Sequence, residues 1–188
     1  MRGRAVLPLA LCLLAAGTLA SCRGGGDFSG KPSVPEGYKT FSTAGISFAH
    51  PGDWQVDERT DADGAPAVDI TPPVKAKTPY GLIRLSISPG AGERFQSLTD
   101  QRRIVIREVN DGEIDSDDGV EIPGAKEALR LSTTTPPGRG TDPVEVRSDS
   151  LDVLRDNGDV VVLIAASPQR DGQELDTAAV VESLRFGG

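Results

Sequence analysis

Short stretches of alternating apolar and polar residues predict most of the strands between residues 38 and 188. Ile83, Leu85 and Ile87 alternate with polar residues, which is typical of a strand with one buried and one wet face. The same pattern, together with short apolar runs, predicts strands over 38–42, 46–50, 68–70, 83–87, 129–133, 144–153 and 160–166. Asn157 and Gly158 form a strong hairpin signal. Neighbouring strands are therefore expected to pair mainly antiparallel.

Two segments have the spacing of amphipathic helices. One apolar face recurs at Phe95, Leu98, Val105 and Val109. A second helix is predicted over 173–183, where Val180 and Leu184 form an i, i+4 pair. The element order is four strands, a helix, three strands and a helix. This order predicts the α+β fold class, with a mainly antiparallel sheet covered by two helices.

Three stretches depart from these simple patterns. The apolar phase of the strand over 144–153 shifts by one near Leu151 and Val153, which predicts a bulge. The acidic stretch 111–118 is interpreted as a solvated loop. The acidic residues Asp57, Glu58, Asp61 and Asp63 are interpreted as a second solvated loop.

The first 22 residues have the layout of a secretory signal. Arg2 and Arg4 precede an apolar stretch over 5–16, and small residues lead to Cys22. This resembles the signal of bacterial lipoproteins, which implies cleavage before Cys22 and a diacylglyceryl thioether on its sulfur. An ordinary signal peptide with an incidental Cys22 is the alternative. The lipoprotein interpretation predicts a signal peptide over 1–21, a lipidated flexible tether over 22–37 and a domain over 38–188, held on the extracytoplasmic face of the cell membrane.

Composition narrows the chemistry of the mature chain. The other cysteine, Cys12, lies in the apolar stretch, so cleavage would leave Cys22 as the single cysteine and no disulfide or zinc site. The chain has 20 basic and 28 acidic residues, and two of the arginines lie in the predicted signal, so the mature charge is −10. An acidic chain is a poor candidate for binding nucleic acid. No cofactor motif is found.

Two stretches resemble a known fold family. Residues 41–54 contain an aromatic strand that ends in His50-Pro51-Gly52-Asp53-Trp54. Residues 160–167 and 175–186 resemble a last strand and a closing helix, with a Ser-Leu-Arg-Phe ending. Together they are similar to the PsbP-like fold and to LpqN-type actinobacterial lipoproteins over about residues 38–186. This resemblance implies an α/β/α sandwich, and relatives that mostly act as binding or assembly partners. It implies no particular functional residues.

Candidate chemistry in the domain is sparse. His50 is the single histidine, and its position before Pro51 favours a structural role over catalysis. Trp54 is interpreted as a core anchor. Asp115, Asp117 and Asp118 are weak candidates for a calcium site, because clustered carboxylates bind Ca²⁺ but the EF-hand register fails here. We expect no metal.

These observations predict a non-enzymatic, membrane-anchored binding or scaffold module. Its partners would be the membrane, through the lipid on Cys22, and another envelope protein, with loops near Thr60 and Thr135 as the expected contact surface. Two alternatives stay open. One is a small-ligand carrier with an apolar pocket between sheet and helix. The other is an envelope hydrolase that uses His50 and nearby acids.

Overall fold

A computed structural model confirms the α+β class, with mainly antiparallel sheets and two helices. The structure describes residues 28, 33–61, 64–73, 81–137, 144–169 and 175–187. Outside these residues lie the predicted signal peptide, Cys22, most of the predicted tether and Asp63. Part of the loop that follows Thr135 also lies outside them.

Ten strands are found in the described part of the chain. They are β1 (Tyr38–Thr43), β2 (Ile46–Pro51), β3 (Gln55–Thr60), β4 (Pro66–Thr71), β5 (Leu82–Ser88), β6 (Glu113–Gly119), β7 (Ala125–Thr135), β8 (Val146–Arg155), β9 (Val160–Pro168) and β10 (Arg185–Phe186). Seven form one sheet in the order β3-β4-β5-β9-β8-β7-β6, and three form a smaller sheet in the order β1-β2-β10. All pairings between neighbours are antiparallel.

The helices lie on opposite faces of the large sheet. Helix α1 (Phe95–Ile104) follows a short 3₁₀ turn and continues into a π-helical turn (Val105–Val109), and α2 is Thr177–Glu182. Side chains alternate along β8, so Asp149 points to the same side as α2 and Asp152 to the same side as α1. We call these two sides the α2 face and the α1 face.

The main hydrophobic core fills the α2 face. It is formed by alternate residues of the sheet, by α2 and by the small sheet, and its fully buried members include Phe48, Ile70, Ile83, Leu85, Leu151, Leu163, Val180 and Leu184. The core on the α1 face is much smaller and consists of Ala91, Phe95, Leu154 and Val160, with three partly buried neighbours. The large sheet is therefore covered unequally.

The small sheet brings the two ends of the domain together. Strand β10 pairs with β2, with Arg185 opposite Ser47. The main-chain N–H of Ala49 donates to Oγ of Ser183 over 2.7 Å, just after α2. The two stretches that carry the family resemblance, far apart in sequence, thus pack against each other.

Most described residues of the two acidic stretches interpreted as loops belong to strands, so that prediction was wrong for Asp57, Glu58 and residues 113–118. Residues 57–60 belong to β3 and residues 113–118 to β6, the two outermost strands of the large sheet. An outer strand buries little surface and gains its backbone hydrogen bonds from one neighbour, so it needs no apolar alternation. Charged side chains also protect an edge from pairing with other chains.

The predicted bulge near Leu151 and Val153 is absent. Strand β8 keeps a regular register with β9 from Val146 to Leu154. The apolar phase changes because helices cover both faces of β8, so residues of both parities are buried from Asp149 to Leu154. The irregular pairings described instead involve β6 and β7.

Two other expectations need correction. The helix predicted from 95 to 109 changes to a π-helical turn at Val105, and Val105 and Val109 are exposed instead of facing the core. The apolar repeat assumed 3.6 residues per turn, which a π turn does not keep. Phe28, inside the predicted tether, is 2% exposed and belongs to the main core. The rest of that tether stays a prediction.

Candidate functional site

The three aspartates considered for calcium do not converge. All three lie on β6, where Asp117 and Asp118, opposite Leu131 and Arg130, point to different faces. Arg103 of α1 donates through Nε and Nη2 to Asp117 over 2.7 and 2.9 Å, and Oγ1 of Thr134 donates to Asp115 over 2.8 Å. Nowhere among the described residues do three His, Cys, Asp or Glu side chains form a group that could hold a metal ion.

His50 is enclosed and bonded to its own neighbour. It lies on β2 with 6% of its surface exposed, on the same side as Phe48. Its Nδ1 is 2.8 Å from the carbonyl oxygen of Pro51, which accepts a hydrogen bond from the ring. Burial lowers the pKa of His50, the hydrogen bond to Pro51 partly opposes this, and the positive charge of Lys39 lowers it further, so that the net shift is downward. The imidazole is therefore held neutral by its surroundings, with its Nδ1 engaged by the main chain.

Trp54 packs at the margin of the main core. The indole is partly buried against the core cluster. Its ring lies so close to the backbone of Gly81 that a Cβ there would come within 2.6 Å of it. The position of Trp54 agrees with the predicted anchor role.

The two loops expected to form a contact surface lie at opposite ends of the large sheet. Through the strand registers, Thr135 is level with Pro168 at one end of β9. The turn after Thr60 is at the other end, on the side of Val160. The ends of β9 are roughly 26 Å apart at about 3.3 Å per residue. The structure does not bring these loops into one surface.

The carboxylate of Asp149, buried under α2, accepts a hydrogen bond at each of its oxygens. Asp149 is completely buried and accepts hydrogen bonds from Ser132 and from Oγ1 of Thr177, the latter over 2.6 Å. Nη2 of Arg130 is 3.6 Å from the same carboxylate, and Nη1 of Arg130 donates to Glu182 over 2.7 Å. This network ties β7, β8 and α2 together. Among the described residues, every buried side-chain polar atom has a hydrogen-bond partner.

A second buried aspartate holds α1. Asp152 forms an ion pair with Arg102, and burial lowers the pKa of this guanidinium to about 10. Arg102 still carries its charge at neutral pH, beside the carboxylate. Sequence reasoning missed both aspartates, because a buried acid in an apolar strand has no local signature.

The part of the α1 face that α1 leaves uncovered carries an ion-pair chain. Nε of Arg84 donates to Asp69 over 2.7 Å, and Nε of Arg59 is 3.2 Å from the same carboxylate. Arg59 also pairs with Asp61. The hydrogen bonds from Arg84, its charge and the weaker effect of Arg59 lower the pKa of Asp69. The arrangement stabilises β3, β4 and β5 and offers no unpaired acid for catalysis.

An exposed apolar patch lies at the other end of the α1 face. Ile104, Val105 and Val109 are 58%, 40% and 71% exposed. The π-helical turn that carries Val105 and Val109 packs on β6, the outermost strand, whose Glu113 and Asp118 are exposed. The apolar spacing predicted that Val105 and Val109 face the core, and it did not mark Ile104.

The surface depressions among the described residues include three open ones. One of about 440 Å³ lies along the connection from Val120 to Ala128, and one of about 420 Å³ lies beside Arg155 and Phe186. A third of about 330 Å³ lies beside α2 and is lined mainly by polar residues, including Arg147 and Asp176. Each opens widely to solvent, unlike the enclosed apolar cavity that a ligand carrier uses.

Comparison with known proteins gives no family assignment. No model of a protein family matches the chain, and no curated protein matches it. The chain is similar to a solved structure from Bacteroides thetaiotaomicron at 14% identity, with a TM-score of 0.45, over 81% of this chain and 49% of that one. It therefore spans about half of that protein. It is also similar to a Pseudomonas aeruginosa protein of unknown function at 12% identity, TM-score 0.40, over 70% and 83% of the two chains.

The described helices are short. None of them has both the length and the apolar character needed to cross a membrane.

Proposed function

We propose that this chain is a lipid-anchored, non-enzymatic binding module of the bacterial cell envelope, built on a PsbP-like domain. The observation that carries the proposal is the signal-like segment that ends at Cys22. Lipid on this cysteine would hold the domain on the extracytoplasmic face of the membrane. Each acyl chain contributes about 0.8 kcal/mol per buried CH₂, so two chains anchor a protein stably.

The geometry of the domain supports a binding role over catalysis. His50 is enclosed, kept neutral and bonded to a main-chain carbonyl. The buried acids Asp149 and Asp152 are bonded to residues that hold the helices. These groups stabilise the fold and none of them is presented to a substrate.

The PsbP-like assignment is supported by the way the ends of the domain meet. The resemblance rests on the opening hairpin and on the closing helix with its terminal strand. These elements pair through β2 and β10 and through the bond from Ala49 to Ser183. An antiparallel sheet with a helix on each face agrees with the implied sandwich.

Fatty-acid labelling tests the anchor. Cells that express the chain are grown with an alkyne-labelled palmitate, and we expect label on the wild-type chain in the membrane fraction. Cys22→Ala should lose the label and appear in the medium. Cys12→Ala is the matched control, because it changes the other cysteine within the signal and should keep the label. An unlabelled wild-type chain in the medium would refute the anchor.

A further inference from the structure

Phe28 is a buried aromatic residue in a stretch made mostly of glycine, proline and polar residues. Its side chain is 2% exposed and belongs to the main core of the α2 face. Between Phe28 and β1, the described residues include the exposed Val34, Glu36 and Gly37. The chain therefore contacts the core ten residues before the first strand begins at Tyr38.

Burial of this ring opposes its release from the core. An aromatic side chain that leaves a core returns a large apolar surface to water. Burial of one phenylalanine favours the docked position by a factor of roughly ten to a hundred. The first point at which the domain holds the preceding chain is thus Phe28 and not β1.

The position of Phe28 limits how far the domain can lie from a lipid on Cys22. The two residues are six positions apart, and an extended chain spans at most about 3.6 Å per residue. Their Cα atoms are therefore within about 22 Å of each other in any conformation. Tyr38 is sixteen positions from Cys22, which would allow about 58 Å if β1 were the first point of attachment.

The charge of the domain gives this limit a physical consequence. Residues 38–188 contain 26 acidic and 16 basic residues, a formal charge of −10. An anionic lipid surface repels such a domain, so repulsion favours larger separations. The connecting chain limits those separations, and the number of residues before the first buried contact sets the limit.

We propose that Phe28 is a positioning residue that holds the domain at the surface of the membrane. It does so by docking in the main core, which leaves five residues between itself and the lipidated Cys22. The lipid surface is then the immediate neighbour of the domain. This inference rests on the proposed lipid anchor and adds the residue that fixes its effective length.

Paired insertions test this role without altering a buried residue. The same glycine–serine segment of about ten residues is inserted before Phe28, between Gly25 and Gly26, or after it, between Gly30 and Lys31. If Phe28 holds the chain, the first insertion alone lengthens the connection from Cys22 to the core. The second lengthens the chain between two points that are both fixed in the fold, which costs little because loop-closure entropy grows slowly with length.

The separation from the membrane is measured by energy transfer. The full lipidated chain carries Asp57→Cys, at an exposed position of β3, with a donor dye on the new thiol. Lipid blocks the sulfur of Cys22, so the dye reacts at the introduced cysteine. The vesicles contain phosphatidylcholine, phosphatidylglycerol and an acceptor lipid. We expect the insertion before Phe28 to lower the transfer efficiency about twofold, and the insertion after it to leave the efficiency unchanged.

Substitutions of Phe28 give a second measurement. Phe28→Ser should lower the transfer efficiency as the first insertion does, and should lower the melting temperature by about 5–10 °C because a buried ring is lost. Phe28→Leu keeps a large apolar side chain and should retain most of both values. Val34→Ser is the matched control, because it changes an exposed apolar residue of the same stretch and should alter neither value.

Three results would overturn the proposal. Equal loss of transfer from both insertions would mean that the connection runs to β1. No loss from the insertion before Phe28 would mean that something other than the connecting chain holds the domain. An unchanged melting temperature in Phe28→Ser would mean that the ring is not docked.

The anchor and the role of Phe28 fail in different ways. Loss of the palmitate label on Cys22 would refute the anchor, and the positioning role with it, before any transfer is measured. An intact label together with equal effects of the two insertions would refute the role of Phe28 alone.

Discussion

The two faces of the large sheet are held by different means. The α2 face is closed by a continuous apolar core, in which Leu163 and Ile83 are completely buried. The α1 face has a four-residue core at one end, and elsewhere it depends on the Arg102–Asp152 pair and the Asp69–Arg84 pair. Apolar burial involves no titrating group, whereas ion pairs depend on pH and, where they are exposed, on ionic strength. Most of the stability should therefore come from the α2 face.

The two faces also differ in whether their residues are available for contact with other molecules. The apolar core of the α2 face cannot change without loss of stability, so its buried residues are unavailable for contact. The α1 face is partly open and carries the apolar patch at its margin. This is the side on which surface residues can vary with little effect on the fold.

The largest loss of stability is expected at Leu163 of β9, and the adjacent residue Ile164 provides the comparison. Leu163 is fully buried on the α2 face, and Ile164 is partly buried on the α1 face. Leu163→Ala should lower the free energy of unfolding by about 3–4 kcal/mol, because it removes buried methylenes and leaves a cavity. Ile164→Ala, the matched control, should cost about 1–2 kcal/mol because its side chain is less buried. Urea unfolding measures both, and equal losses would contradict the contrast between the faces.

Breaking the ion pair under α1 should cause the next largest loss of stability. Asp152→Ala leaves the Arg102 cation without its carboxylate in a largely buried place, and should cost about 2–3 kcal/mol. The double variant Arg102→Met and Asp152→Leu should recover most of this loss, because an apolar pair of similar volume suits the site. Asp156→Ala, at an exposed position of the next turn, serves as the control. A double variant as unstable as Asp152→Ala would show that the cost is not that of an unpaired charge.

Low pH should reduce the stability that the Asp69 ion pairs contribute on the open part of the α1 face. The hydrogen bonds and charge of Arg84, with Arg59, lower the pKa of Asp69 below 3.8 in the folded chain. The carboxylate therefore contributes stability that is present above about pH 4 and is lost as the pH falls through the folded pKa. We expect Asp69→Asn to be less stable than the wild type at pH 7, with the difference shrinking below pH 4. Thermal unfolding between pH 7 and pH 3 measures it, and a constant difference would contradict the assignment.

A smaller pH effect should come from the small sheet above the α2 face. Burial and Lys39 lower the pKa of His50 below 6.5 in the folded chain, so the unfolded chain binds a proton first. Stability should therefore fall as the pH drops below about 6.5. His50→Phe should flatten this slope between about pH 7 and pH 5, and Lys39→Met should reduce it. An unchanged slope in His50→Phe would assign the effect to other groups.

Local patterns predicted the covered parts of the sheet and missed its edges. The alternation in β5 and the apolar run of β9 correctly marked half-buried and central strands. Strands β3 and β6 were taken for loops because their residues are almost all polar and exposed. A strand at an edge is stabilised by pairing with one neighbour, and this pairing is not visible in its own residues.

The candidate site was even less accessible to sequence reasoning. The apolar repeat of α1 placed Val105 and Val109 inward, and only the π-helical turn turned them to the surface. The loops near Thr60 and Thr135 looked equivalent in sequence, but the registers of seven strands place them at opposite ends. Both outcomes depend on contacts between distant residues.

The sequence by itself determined the α+β class, the central strands, the hairpin turns and the two helical segments, because these follow from periodicity and turn residues within a few positions. The tertiary structure decided which strands lie at the edges, that both faces of β8 are covered, and that Asp149 and Asp152 are buried in bonds to separate helices. It also decided that Val105 and Val109 are exposed at the π-helical turn. Burial and pairing are properties of neighbours in space, and residues far apart along the chain supply those neighbours.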